Sequence, residues 1–319
     1  MRVFIDGQAG TTGLQLKKRL ESRGDCTILE IDPARFDDPA AKKPLMAQAD
    51  VVFLCLPDDA ARESAGIAPP GTLVIDASTA HRTAPGWVYG FPELSPAHRQ
   101  AVATGKRIAV TGCHAAGFIS MAYPLRQAGA FSRGQRLSLT SLTGYTGGGL
   151  ALIEAYETGR KGTPRAEDDP LCAPRPYALG LEHKHLAEIA QVCDLEAPPI
   201  FYPVVGDMPQ GMLVTVPVWP CQCEGKWKTA TPQDFWEALA THYADSHFVR
   251  VMPFNPANDG AFMDPTACNN TNRLEIFVFG NSHQILLAAR LDNLGKGASG
   301  AALQCMNIAL GLDERIGLA

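Results

Sequence analysis

One cysteine sits where a strand hands over to a helix, and it defines the chemistry open to this chain. In Thr111-Gly-Cys-His-Ala-Ala-Gly117 the preceding Ile108-Ala-Val110 is apolar and partly β-branched, as in a buried strand. Residues 114–129 follow with Met121, Leu125 and Ala128 at helical spacing. Cys113 is thus expected at a helix N-terminus, where unpaired N–H groups and the positive end of the dipole stabilise a thiolate. The same N–H groups can hold the oxyanion formed when sulfur attacks a carbonyl, worth about 3 kcal/mol for one donor. The competing reading is a buried structural cysteine. Gly112 before it, and Ala115, Ala116 and Gly117 after it, leave space for a ligand to approach.

A second chemical element opens the chain. Asp6-Gly-Gln-Ala-Gly-Thr-Thr-Gly13 follows the strand pattern Val3-Phe-Ile5 and precedes a helix bearing Leu14, Leu16 and Leu20. Gly7, Gly10 and Gly13 let the backbone approach a pyrophosphate, with Thr11 and Thr12 in the first turn of the helix whose N-terminus would hold its charge. A tight turn without ligand is the plainer alternative. Glu30 and Asp32, at the end of the second strand, can bind a ribose 2′-hydroxyl and so favour NAD; Arg35 can meet the 2′-phosphate of NADP. These residues leave that choice open.

Both motifs need strands and helices to place them. Apolar runs at 3–5, 27–31, 51–56, 73–76 and 108–110 alternate with helical segments at 12–22 and 59–67. That rhythm predicts βαβ units on a parallel sheet. Beyond residue 129 the runs at 137–142, 212–218, 248–251, 274–279 and 285–291 alternate with period two, which predicts a mainly antiparallel sheet in a second, α+β domain. The expected division is a Rossmann-type domain from 1–112 with 298–319, and a catalytic and dimerisation domain from 113–297. Residues 144–176, rich in Gly, Pro and charge, read as a loop over the site, and 298–310 as a closing helix. Ser78 and Arg82 follow the fourth strand at the ligand-binding edge of a doubly wound sheet, Ser78 as a cofactor contact and Arg82 as a bidentate partner for phosphate or carboxylate. Asn293, in the glycine-bearing turn before the last helix, is a further candidate for the nicotinamide.

Composition narrows the class. The chain has 319 residues, a hydrophobic fraction of 46% and a net charge of −5. It carries no basic patch interleaved with aromatics, so no nucleic-acid partner is expected. No apolar run approaches a membrane span and no export signal precedes the first strand, so the expected location is cytoplasmic. Nine scattered cysteines in such a chain do not imply disulfides. Cys221-Gln-Cys223 is the only close pair, with no second pair or nearby histidine to complete a zinc set, and no metal is expected.

With these motifs in place, the sequence resembles the N-acetyl-gamma-glutamyl-phosphate reductases of arginine biosynthesis, and more closely their short form, type 2. The resemblance runs through GQAGTTG at 7–13, DASTAHR at 76–82, YGFPEL at 89–94, TGCHAAG at 111–117, EHKHLAEI at 182–189, VGDMPQGMLVTVPV at 205–218 and LDNLGKGASGAALQ at 291–304. It implies the semialdehyde dehydrogenase architecture, NADPH as cofactor and Cys113 as nucleophile. The family's His-basic-His segment matches His183-Lys-His185. Those two histidines, separated by one residue, are not expected to point along one helical face, and the reading assigns His185 as acid/base and His183 to substrate binding or structure. His114 replaces the tyrosine of the long form. His81, His98, His242, His247 and His283 read as structural.

The implied reaction is reductive dephosphorylation of a small acyl phosphate through a cysteine thioester. A homodimer or homotetramer is expected. Three rivals fit parts of the same sequence: aspartate-semialdehyde dehydrogenase, which differs in the substrate tail; a nucleotide-binding sensor without catalysis; and a cysteine hydrolase without a nucleotide.

Overall fold

The computed structural model describes residues 1–158, 169–255 and 262–319. Two compact units divide the chain: Met1–Gly112 with Gly297–Ala319, and Cys113–Lys296.

The first unit runs β1 (Arg2–Asp6), α1 (Thr11–Arg23), β2 (Thr27–Leu29), α2 (Pro39–Gln48), β3 (Val51–Leu54), α3 (Asp58–Ile67), β4 (Leu73–Asp76), β5 (Val88–Gly90), α4 (Pro96–Thr104) and β6 (Arg107–Val110). Its sheet has six strands in the order β2-β1-β3-β4-β6-β5, every pair parallel. Such a sheet must be covered on both faces, and β3 and β4 are accordingly buried at every residue. Val3, Ile5, Val51, Phe53, Leu73 and Ile75 point to one face, against Leu16 and Leu20 of α1. Phe4, Val52, Leu54 and Val74 point to the other, against Met46 of α2. The chain reverses direction across the sheet between β1 and β3, and the C-terminal ends of those strands form the crevice where doubly wound sheets bind ligands.

The second unit begins with α5 (Cys113–Gln127) and continues through β7 (Ser138–Gly144), α6 (Leu150–Thr158), β8 (Arg175–Pro176), α7 (Leu186–Val192), β9 (Ile200–Gly206), β10 (Met212–Val218), α8 (Pro232–His242), β11 (Val249–Val251), β12 (Leu274–Gly280) and β13 (Ile285–Leu291). The final helix, α9 (Gly300–Ala309), belongs to the first unit. The second sheet has the order β11-β12-β13-β10-β7-β9-β8. It is mixed: β7 pairs β9 and β11 pairs β12 in parallel, and the other four pairs are antiparallel. Strand β10 alternates buried and half-buried residues along its whole length, the signature of one covered face.

That covered face receives α5, which is buried continuously from His114 to Ala122. A helix apolar all round is a core helix. Gly117 makes the close approach possible, because a Cβ there would stand 2.5 Å from Cγ2 of Val214.

The expectation of a loop across 144–176 is corrected in part. Leu150–Thr158 is helix α6, and β8 lies at the far end of the segment. Glycine and proline flank this helix, and its own residues Leu-Ala-Leu-Ile-Glu-Ala are strong helix formers that the average composition concealed. Residues 159–168 lie outside the described residues.

Candidate active site

In the first unit, the glycine loop lies at the crevice between β1 and β3. Gly7 takes a φ of +85°, and a Cβ on it would meet the Cys55 carbonyl oxygen at 2.3 Å. A Cβ on Gly13 would stand 2.3 Å from the Gly7 carbonyl oxygen. Both glycines are therefore demanded by the protein's own backbone. Gly10 differs: a Cβ there would meet nothing closer than 3.4 Å, so the space it leaves faces outward. As N-cap of α1, Gly10 offers no side-chain cap, and the first turn holds no acid. The hydroxyl of Thr11 is buried without a hydrogen-bond partner. A bare helix N-terminus with an unpaired buried hydroxyl fits a bound phosphate group.

Below the loop, Asp6 pairs with the buried Lys42 of α2 at 3.0 Å and accepts from Ser64 Oγ at 2.5 Å, which fixes the end of β1 from which the loop departs. Cys55 faces the same turn. Its thiol is pushed up to about 12 by burial and by the nearby Asp76 and Asp6 carboxylates, so it stays protonated.

The other first-unit candidates have protein partners. Glu30 pairs with Lys17 at 2.8 Å, and Asp32 caps a short turn by accepting from Ala34 N. Arg35 is half-exposed and paired with Asp38 at 2.6 Å. The Ser78 hydroxyl donates to Asp76 Oδ2 at 2.7 Å. Arg82 donates from Nε to the Val110 carbonyl at 2.8 Å and from Nη2 to the Ala77 carbonyl at 3.1 Å. His81, read as an unremarkable histidine, bonds through Nδ1 to the fully buried Asp76 at 2.6 Å and stacks on Trp87 with ring centroids 3.9 Å apart.

The second unit gathers the thiol and the histidines. Cys113 is the first residue of α5 and is partly accessible, whereas Cys193, Cys223 and Cys268 are buried. One donor atom from each of Cys113, His114 and His185 lies within 4.8 Å of the others. His183 completes the group: its ring centroid is 4.7 Å from that of His185 and 5.4 Å from that of His114. Phe201 of β9 closes one wall, 5.1 Å from His114 and 4.8 Å from His183.

The expectation that His183 and His185 diverge is corrected here. Neither lies within a helix: both precede α7, with His185 as its N-cap. The His185 backbone N–H donates to His183 Nδ1 at 3.1 Å, and this turn brings the two rings together edge-on. His185 is 4% exposed, close to the sulfur and closed off from bulk water.

His114 is the residue that sequence reasoning left out of the site. Its Nδ1 bonds Ser141 Oγ of β7 at 2.7 Å, and its Nε2 bonds the Tyr177 hydroxyl at 2.9 Å. Burial, with His183 and Lys184 nearby, pushes its pKa down to about 3, so the imidazole is neutral. Burial, and then the Cys113 sulfur, push the Tyr177 phenol above its ordinary range, so it stays protonated. A neutral hydrogen-bonded chain Ser141–His114–Tyr177 therefore runs beside the thiol. Asn293, also in this unit, accepts from Gly211 N at 2.9 Å and donates to Thr146 Oγ1 at 3.1 Å, so both ends of its amide hold loops together.

A partly accessible thiol at a helix start, a nearby imidazole and a separate phosphate-ready glycine loop agree with the known relatives of the chain. Residues 9–102 match the semialdehyde dehydrogenase NAD binding domain, and residues 113–293 match the semialdehyde dehydrogenase dimerisation domain. Among solved structures, aspartate semialdehyde dehydrogenase II from Vibrio cholerae, complexed with ASA, superposes with a TM-score of 0.73 at 15% identity, covering 97% of this chain and 98% of that one. At that identity the likeness speaks for the fold. N-acetyl-gamma-glutamyl-phosphate reductase 2 from a Nostoc species is 42% identical over 99% of both chains. The N-acetyl-gamma-glutamyl-phosphate reductase of Burkholderia cenocepacia is 44% identical over 97% of both. With such relatives matched over nearly the whole length, the chain belongs to the N-acetyl-gamma-glutamyl-phosphate reductase family, a nicotinamide-dependent branch of the semialdehyde dehydrogenases.

Proposed function

We propose that the protein reduces N-acetyl-gamma-glutamyl phosphate to N-acetylglutamate 5-semialdehyde, with NADPH as cofactor and release of inorganic phosphate. The observation that carries this reading is the Cys113 sulfur at the start of α5 with the His185 imidazole within 4.8 Å. The Cys113 thiolate attacks the acyl carbon, the carbon–oxygen bond to phosphate breaks, and phosphate leaves a thioester behind. A bound nicotinamide supplies the hydride that reduces the thioester. His185 gives a proton to the oxygen of the resulting hemithioacetal, then takes the hydroxyl proton back as the carbon–sulfur bond breaks and the thiolate is restored. N–H groups in the first turn of α5 steady the negative oxygen at each tetrahedral stage. His185 and the neutral hydrogen-bonded chain beside it form a buried wall of the site.

On the cofactor side, Gly7, Gly10, Thr11, Thr12 and Gly13 hold the pyrophosphate, with Ser78 at the neighbouring strand end. Arg35 meets the 2′-phosphate by exchanging its Asp38 partner. Arg82 and His183 bind substrate, and Asn293 is a further cofactor contact. A homodimer or homotetramer is supported by the match to a dimerisation domain. A cytoplasmic location is supported by nine free cysteines, and among the described residues no helix is long and apolar enough to cross a membrane.

The test is phosphate-dependent reduction of NADP with N-acetylglutamate semialdehyde and, separately, aspartate semialdehyde. Preference for the first substrate and for NADP over NAD supports the reading. Equal or better turnover of aspartate semialdehyde, or turnover that needs no phosphate, would defeat it.

A further inference from the structure

We propose that Cys113, His114 and His185 form a reversible binding site for a zinc ion, and that its occupation switches the enzyme off. The inhibitory consequence rests on the function proposed above; the binding does not. A thiolate and two imidazoles are the donors that zinc selects. Zn–N bonds of about 2.0 Å and Zn–S bonds of about 2.3 Å set tetrahedral donors roughly 3.3–3.7 Å apart. The three donor atoms already lie within 4.8 Å of one another, so a contraction of about an ångström closes the set.

The outer contacts favour the same arrangement. Metal-bound imidazoles characteristically engage a hydrogen-bond partner through the other ring nitrogen, which fixes the tautomer. Ser141 Oγ, 2.7 Å from Nδ1 of His114, already supplies that contact. This leaves Nε2 as the ligating atom, whose present partner is the Tyr177 hydroxyl at 2.9 Å. Tyr177 is thus the competitor that zinc displaces from His114. The fourth position goes to water or to His183, whose ring stands against both other histidines. Zinc binding releases the thiol proton and ties up the sulfur lone pair, so no attack on an acyl phosphate follows until a chelator removes the ion.

The purified full-length enzyme is titrated with Co²⁺, whose thiolate complexes absorb through sulfur-to-cobalt charge transfer, and with Zn²⁺ in competition. Expected are a charge-transfer band lost in Cys113→Ala, an affinity at least about tenfold weaker in His114→Ala, and zinc inhibition fully reversed by EDTA. His114→Gln, which can still bond Ser141 and Tyr177, gives the same weakening if the alanine variant fails to fold. Tyr177→Phe, freed of the competing phenol, binds zinc severalfold more tightly. Cys221→Ser, at an exposed thiol elsewhere, leaves the band intact. A band that survives Cys113→Ala, unchanged affinity in both His114 variants, or weaker binding in Tyr177→Phe overturns the site. Zinc that binds with these dependences yet leaves turnover untouched counts instead against Cys113 as nucleophile.

Discussion

Helices α1 and α8 begin in opposite ways. Thr231 and Asp234 close a full capping box on α8, the threonine hydroxyl accepting from the Asp234 backbone and the aspartate from the Thr231 backbone. Helices α2 and α4 are likewise capped, by Asp38 and Ser95. Helix α1 has a glycine N-cap, no side-chain cap and no acid in its first turn, and α5 also opens without an acid. In α2, α4 and α8 the chain satisfies its own helix N-terminus with a side chain. In α1 the N–H groups and the dipole stand ready for the phosphate group proposed above. Exposed N–H groups cost a little stability and provide a binding site.

The severest test of that contrast is Cys113→Ser. Turnover should fall by at least about 10⁴-fold while NADPH still binds, as fluorescence titration would read. A near-normal rate would remove α5 from the functional pair. Next comes the difference between two glycines. Gly13→Ala forces a Cβ to 2.3 Å from the Gly7 carbonyl and should lose about 1–3 kcal/mol of stability along with cofactor affinity. Gly10→Ala meets only ordinary contacts, so it should weaken NADPH binding at a stability cost of about 1 kcal/mol or less. Paired thermal melts and cofactor titrations decide, and equal stability losses in the two variants would show that Gly10 serves the fold. Arg35→Ala should lower the preference for NADP over NAD by about tenfold, measured as a ratio of kcat/KM values; an unchanged ratio would transfer specificity to other residues. The smallest effect belongs to α8: Thr231→Ala should cost about 1 kcal/mol with kcat and KM unaltered. Lost activity in a stably folded T231A protein would mean that capped helix starts are not purely structural.

Much of this was legible in the residues themselves. The glycine loop and the cysteine turn each sit between an apolar strand and a helical stretch, and local pattern suffices to place them. Helices α2 and α4 were less visible because they are short and weakly amphipathic, and α8 was passed over although its apolar face is distinct. Each nevertheless begins with proline after a capping residue, at Asp38-Pro39, Ser95-Pro96 and Thr231-Pro232. The parallel pairing of β7 with β9 was hidden, since a strand's own alternation says nothing about the direction of its neighbour. The Ser141–His114–Tyr177 chain was invisible for a similar reason. Its partners are 27 and 63 residues apart, and Tyr177 lies outside any regular element. Only the anomaly of a histidine next to the nucleophile hinted at it. His183 and His185 misled because a helical face was assumed for residues that belong to a turn.

The fit of Gly117 against Val214 makes those two positions a single heritable unit. With 2.5 Å between a notional Cβ and the valine methyl, alanine at 117 is open only to a lineage that has first shortened residue 214. The order of those two mutations therefore matters, and the seat of α5 on the sheet is guarded by a historical constraint that neither residue imposes alone.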